Sequence, residues 1–231
     1  MTPRDRLIVA LDVADAATAR AMVDRLTGHV GMFKVGSQIF TAAGPEFVRE
    51  VIARGEKVFL DLKFHDIPNT VAGAVSAAGQ LGVSLVDVHA LGGEEMLQAA
   101  VGALPAMGIR LLAITILTSH DEKSLGRIGV SGSVADGVRR LAMLAKDAGA
   151  DGVVASPQEV ALVREACGKD FLVVTPGIRP AGSSRGDQAR TATPATAVAA
   201  GADYIVVGRP ILEAHDPAAA ADAIVRELTG R

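Results

Sequence analysis

Val58-Phe59-Leu60-Asp61-Leu62-Lys63-Phe64-His65-Asp66-Ile67-Pro68-Asn69-Thr70 opens as a buried strand and then sets Asp61, Lys63 and Asp66 within six residues. Residues two apart on a strand point the same way, so Asp61 and Lys63 are expected on one face at the strand's end. Charges at that position are expensive to desolvate unless they pair or perform chemistry.

The same alternation extends from this segment in both directions. Short apolar runs occur at 7–11, 32–35, 58–61, 85–88, 110–116, 152–154, 172–174 and 204–207. They read as eight strands. Ala-rich helical stretches lie between them, at 16–26, 45–54, 70–81, 94–104, 134–148, 158–166 and 195–200. Asp216-Pro217 opens a final helix, with an N-cap Asp before a proline at the first helical position. Strict strand–helix alternation implies a parallel sheet, and eight strands fit closure into a (β/α)8 TIM barrel of the α/β class. A doubly wound open sheet is the second fold. It lacks its dinucleotide fingerprint, because the first strand–helix turn reads Asp12-Val13-Ala14-Asp15. No linker or low-complexity tract interrupts the pattern, so residues 1–231 are expected to form one catalytic domain. The longest irregular regions, 118–131 and 176–192, both follow strands and are expected as loops at the functional end of the barrel.

Composition agrees. The chain is 49% apolar, which suits strands buried on both faces. Aromatic residues are 3% and tryptophan is absent, so the core must be aliphatic. Net charge is 23 − 26 = −3 with no basic run, which excludes nucleic acid as a bulk ligand. Cys167 is the single cysteine; it excludes an intrachain disulfide, favours a reducing compartment and reads as a small buried helix residue. The N-terminal residues offer no secretory apolar region, and no charge-free apolar segment reaches about 18 residues. The expected location is the cytoplasm, with no membrane partner.

Polar residues gather where a barrel places its active site. The first strand ends in Asp12, the second carries Lys34, the third ends in Asp61 and Lys63, the fourth in Asp87 and His89, and Thr118 follows the fifth. With neighbouring strands ~4.8 Å apart, Asp12, Lys34, Asp61 and Lys63 are expected to converge. Like charges ~4 Å apart cost about 4 kcal/mol at an effective dielectric near 20, and interleaving lysines with aspartates removes that penalty. A second constellation follows the last two strands: Thr175-Pro176-Gly177-Ile178-Arg179-Pro180 and Val207-Gly208-Arg209-Pro210. Loops there bind phosphate in many barrels, and Arg209 could add a bidentate contact. The Gly- and Ser-rich loop 180–188 reads as a lid. The histidines show no metal-ligand spacing. Asp12, Asp61 and Asp87 could hold Mg²⁺ in principle, but the adjacent lysines oppose a cation.

These motifs, together with Val88-His89-Ala90 and Leu117-Thr118-Ser119, resemble the orotidine 5'-phosphate decarboxylase family in its compact bacterial form. The resemblance runs through most of the chain, and the run from Asp61 to Thr70 is its most specific part. It implies decarboxylation of orotidine 5'-phosphate to uridine 5'-phosphate (UMP) in pyrimidine biosynthesis, with no metal and no organic cofactor. It maps a charged tetrad onto Lys34, Asp61, Lys63 and Asp66, with Lys63 as the general acid. Asp66 and Thr70 would reach across the interface of a homodimer. Asp12 and Lys34 match ribose contacts, Ile67 another substrate contact, and Thr118 a contact near the pyrimidine. Arg179, Gln188, Gly208 and Arg209 match phosphate or lid positions. Asp87 stands where the resemblance leads to a neutral amide. Two alternatives remain: a Mg²⁺-dependent sugar-phosphate decarboxylase of the 3-keto-gulonate-phosphate type, which shares the Asp-x-Lys-x-x-Asp core, and a non-catalytic nucleotide-binding barrel.

Overall fold

A computed structural model describes residues 1–105, 108–180 and 191–229. Eight parallel strands close into a barrel in chain order: β1 Leu7–Ala10, β2 Met32–Gly36, β3 Val58–Phe64, β4 Leu85–His89, β5 Arg110–Ile114, β6 Gly152–Val154, β7 Leu172–Thr175 and β8 Tyr204–Val207. Closure is made by β8 against β1, with Val206 beside Ile8. The helices are α1 Ala16–Leu26, α2 Ser37–Ala53, α3 Pro68–Gln80, α4 Glu94–Gly102, α5 Glu122–Arg127, α6 Val134–Asp147, α7 Val160–Cys167, α8 Pro194–Ala199, α9 Arg209–Leu212 and α10 Pro217–Glu227.

Strand alternation divides the core in two. Ile8, Met32, Phe59, Leu85, Leu112 and Tyr204 fill the barrel interior. Val9, Phe33, Val35, Leu60, Val86 and Val153 point outward into the layer between sheet and helices. Each buried aliphatic side chain contributes roughly 1.5–3 kcal/mol. Because both faces are covered, the strands carry almost no polar residues until their C-terminal ends. Gly152 on β6 answers a close approach: a Cβ there would lie 2.4 Å from the Leu172 carbonyl oxygen.

The expected elements are present, with three corrections. The first helix is bounded as expected, and Asp15 caps it by accepting the Thr18 N–H at 2.9 Å. The second begins at Ser37, directly after β2, and not at Pro45. The Gly44-Pro45 pair that looked like a helix start is a kink inside α2, with Gly44 at φ +68°. Region 118–131, expected to be irregular, contains α5, whose capping box pairs Asp121 with Ser124. The third strand does not stop at Asp61 but continues to Phe64. Cys167 is buried at the end of α7, as the sequence led one to expect.

Candidate active site

The C-terminal ends of the strands enclose a cavity of about 530 Å³. Asp12, Lys34, Asp61, Lys63, Thr118, Arg179, Gly208 and Arg209 all line it. Inward-facing positions one step above the apolar core supply the charges. Above Met32 comes Lys34, above Phe59 comes Asp61, and above Leu85 comes Asp87.

Lys34 is buried, and its Nζ lies 2.9 Å from Asp61 Oδ2 and 3.1 Å from Asp12 Oδ1. Lys63 Nζ pairs with the other oxygen of Asp61, Oδ1. The result is a chain of alternating charge from Asp12 through Lys34 and Asp61 to Lys63. Burial alone would push the Asp61 carboxyl up, but Lys34, a hydrogen bond with Asp87 and Lys63 outweigh it and hold the group at about 2. Burial likewise works against charge on Lys34, yet Asp61 and Asp12 raise it above the ordinary lysine value. Gly36 gives the lysine its room: a Cβ there would lie 2.9 Å from Lys34 Nζ and 3.3 Å from Asp12 Oδ1.

Lys63 reaches the cavity by a route that simple strand alternation does not provide. The step from Leu60 to Phe64 on β3 is matched by the shorter step from Val86 to Val88 on β4, so β3 bulges between them. Lys63 sits in that bulge at φ +52°, the one non-glycine residue with positive φ among those described. A side chain in this region costs about 1–2 kcal/mol. The turned backbone is held by Asp87, whose Oδ1 accepts the Lys63 N–H at 2.8 Å. His89, the next inward residue of β4, lies with its ring centroid 5.4 Å from that of His65. Burial, followed by the nearness of His65 and Lys63, lowers the His89 imidazole to about 4, so it is neutral at physiological pH.

The opposite side of the cavity has different chemistry. Pro176, Gly177 and Arg179 come from the segment after β7, and Gly208 and Arg209 from the turn into α9. Arg179 Nη1 donates to the Ile178 carbonyl at 2.8 Å, which fixes its guanidinium at the rim. Between the charged arc and this cationic arc, Ile114, Ile116, Val154 and Ala155 form an apolar wall. The sequence reading missed that wall and Gly36 as parts of the site. The inward parity of β5 and β6 was the available signal for the wall.

Three expected site residues do not line the cavity of their own chain. Asp66, Ile67 and Thr70 lie at the exposed start of α3, with Ile67 66% exposed. Gln188 and the expected lid residues 181–188 lie outside the described residues; Pro180 is described. Among the described residues no group of three His, Cys, Asp or Glu side chains is placed to hold a metal ion, and no helix is long and apolar enough to cross a membrane.

Fold and site together define a (β/α)8-barrel enzyme whose pocket sets an alternating charge chain against a pair of arginines. The chain belongs to the Orotidine 5'-phosphate decarboxylase / HUMPS family, which it matches over residues 5–224. It is 54% identical to an orotidine 5'-phosphate decarboxylase from Moorella thermoacetica, over 99% of this chain and 94% of that relative. An enzyme of the same name from Halorhodospira halophila is 56% identical over 96% of this chain and 95% of its own length. The crystal structure of orotidine 5'-phosphate decarboxylase from Lactobacillus acidophilus superposes with a TM-score of 0.85 at 41% identity, covering 96% of this chain and 98% of that one.

Proposed function

We propose that this protein decarboxylates orotidine 5'-phosphate to uridine 5'-phosphate in pyrimidine biosynthesis, with Lys63 as the proton donor. The observation that carries this reading is the Lys63 ammonium, paired with a buried Asp61 and facing a closed-sided cavity. Breaking the bond between C6 and the carboxyl carbon releases CO₂ and leaves an electron pair on C6 that no π system delocalises. A cation already in place stabilises that charge as it develops, without reorganisation. The Lys63 proton then passes to C6, and the neutral amine is recharged from water. Asp61 pairs with the Lys63 ammonium and aims it. The side chains alone serve this scheme; no step calls on a metal or organic cofactor.

The remaining residues take roles by position. Arg179, Gly208 and Arg209 receive the phosphate, with Gln188 assigned to the lid. The phosphate's binding energy, remote from the reacting carbon, supports closure of the site. Asp12 and Lys34 contact the ribose, and Thr118 the neighbourhood of the base. Asp66, Ile67 and Thr70, exposed in their own chain, complete the partner's site in a homodimer. The enzyme works in the cytoplasm, and the whole barrel acts as one catalytic domain.

The test is turnover of orotidine 5'-phosphate by purified protein in excess chelator, followed by loss of the substrate's absorbance. Undiminished activity is expected; activity abolished by chelator and restored by Mg²⁺ would favour the sugar-phosphate type of chemistry. Lys63→Ala should lose kcat far more than affinity for UMP, and near-normal kcat would remove Lys63 from its role.

A further inference from the structure

Asp87 has no part in the scheme above and does not line the cavity, yet it is the most enclosed charged side chain of the barrel interior, at 0% exposure. Its Oδ1 is used by the Lys63 N–H. Its Oδ2 is buried and meets no hydrogen-bond donor among the described residues. An ionised carboxylate that is fully buried with one oxygen unsatisfied is a costly arrangement. The two neighbouring strands resolve it differently. From β5, Leu112 pairs with Asp87, and the inward positions Leu112 and Ile114 bring no titratable group. From β3 come Asp61 and Lys63, and His89, held neutral, follows on Asp87's own strand.

We propose that Asp87 is a positioning residue that works as a neutral acid, accepting the Lys63 N–H at Oδ1 and donating a proton on Oδ2 to the Asp61 carboxylate. Two adjacent carboxyls in one enclosed layer do not both ionise at neutral pH. Asp61 has two ammonium groups to hold its charge, one on each oxygen. Asp87 has no ammonium partner among the described residues, and the donor at its Oδ1 is the neutral Lys63 backbone amide, so the shared proton belongs to Asp87. Burial, then the charge and hydrogen bond of Asp61, push its carboxyl well above the usual range, in the same direction as the geometry. The proton completes a bracket around the bulge: one carboxyl group holds the left-handed backbone of Lys63 and orients the carboxylate that its ammonium meets. An ionised Asp87 would instead put a second negative charge beside Asp61 and compete for the same ammonium.

The kinetic arm of the test rests on the decarboxylase reading; the protonation arm does not. In protein carrying ¹³C-carboxyl aspartate, with Asp87 assigned by the loss of its resonance in Asp87→Asn, the Asp87 shift at neutral pH is expected to be that of a carboxylic acid. A carboxylate shift there overturns the proposal, whatever the enzyme turns over. For turnover, Asp87→Ala leaves the Lys63 N–H unpaired and should lower kcat on the order of 10²-fold, the scale of a small misplacement of a reacting group. Asp87→Asn keeps both an acceptor and a donor and should recover most of that loss. An Asp87→Asn enzyme as slow as Asp87→Ala would show that negative charge is what the position supplies, against the proposal. If Asp87→Ala does not fold, wild type against Asp87→Asn carries the comparison. Above the pH at which the resonance shows the proton leaving, wild-type kcat should fall and that of Asp87→Asn should not; equal falls overturn the role.

Discussion

Removing the Lys34 charge tests whether the alternating chain at the barrel mouth is an energetic unit. Lys34→Met keeps the length of the side chain and deletes the ammonium that lies between Asp61 and Asp12. At 2.9 Å, the attraction to Asp61 is about 6 kcal/mol at an effective dielectric near 20. Most of that is offset by desolvating two buried ions. The net effect of all the partners of Asp61, with Lys34 the largest and Asp87 and Lys63 after it, holds its carboxyl at about 2 against an ordinary 3.8, which corresponds to about 2 kcal/mol and bounds the share of Lys34. The sign follows from a lowered carboxyl: the contribution is present above the unfolded value of 3.8 and is lost as pH falls through the folded value of about 2. Lys63 still pairs with Asp61 after the substitution, so the loss should lie at about 2–4 kcal/mol, toward the lower end for breaking a buried pair. For a chain of 231 residues that lowers Tm by roughly 4–16 °C. Urea unfolding of wild type, Lys34→Met, Asp61→Asn and the double variant at neutral pH gives the coupling directly. A coupling of about 2 kcal/mol is expected. Coupling near zero would mean that the two charges are solvated independently, and the account of a preorganised site would be wrong.

Arg209→Ala should weaken UMP binding by roughly 10- to 100-fold, the scale of a lost charge-assisted contact, and leave uridine affinity unchanged; equal losses for both ligands would remove the phosphate assignment. Gly36→Ala should reduce kcat more than Tm, because its methyl group displaces the tip of Lys34 and not the backbone; unchanged turnover would show that the lysine's seat is not needed. Gly152→Ala meets a carbonyl oxygen that cannot yield and should destabilise the fold by about 1–3 kcal/mol in thermal or urea unfolding. Mixing inactive Lys63→Ala and Asp66→Ala subunits should restore about a quarter of wild-type activity, since half of exchanged C2 dimers are mixed and each holds one intact site. No recovery after confirmed exchange would place Asp66 in its own chain's site.

The barrel was legible because both faces of each strand are buried, so the apolar runs stand out and their count gives the topology. Lys34 and Asp61 were legible for the same reason: each interrupts an apolar run at an inward position. Lys63 was found by the right residue and the wrong geometry. Period-two alternation put it beside Asp61, whereas a bulge and a left-handed backbone actually do so. No local sequence signal marks that bulge, because the group that holds it, Asp87, lies on the next strand. The start of α2 was hidden by Gly44-Pro45, which has the composition of a boundary and the position of a kink. The α5 helix is short, and its Asp121–Ser124 cap was the readable cue. Thr118, Arg179, Gly208 and Arg209 were placed at the barrel mouth by strand order and matched to ligand contacts by the family resemblance; closure of β8 on β1 brings the end of the chain back to its beginning.

A lysine at φ +52° sits where backbone energetics alone would choose glycine. Selection for foldability and selection for turnover therefore pull this one position in opposite directions. Variants screened only for thermal resilience would tend to drift away from lysine here, and a screen that scores survival without scoring product would discard the amine first.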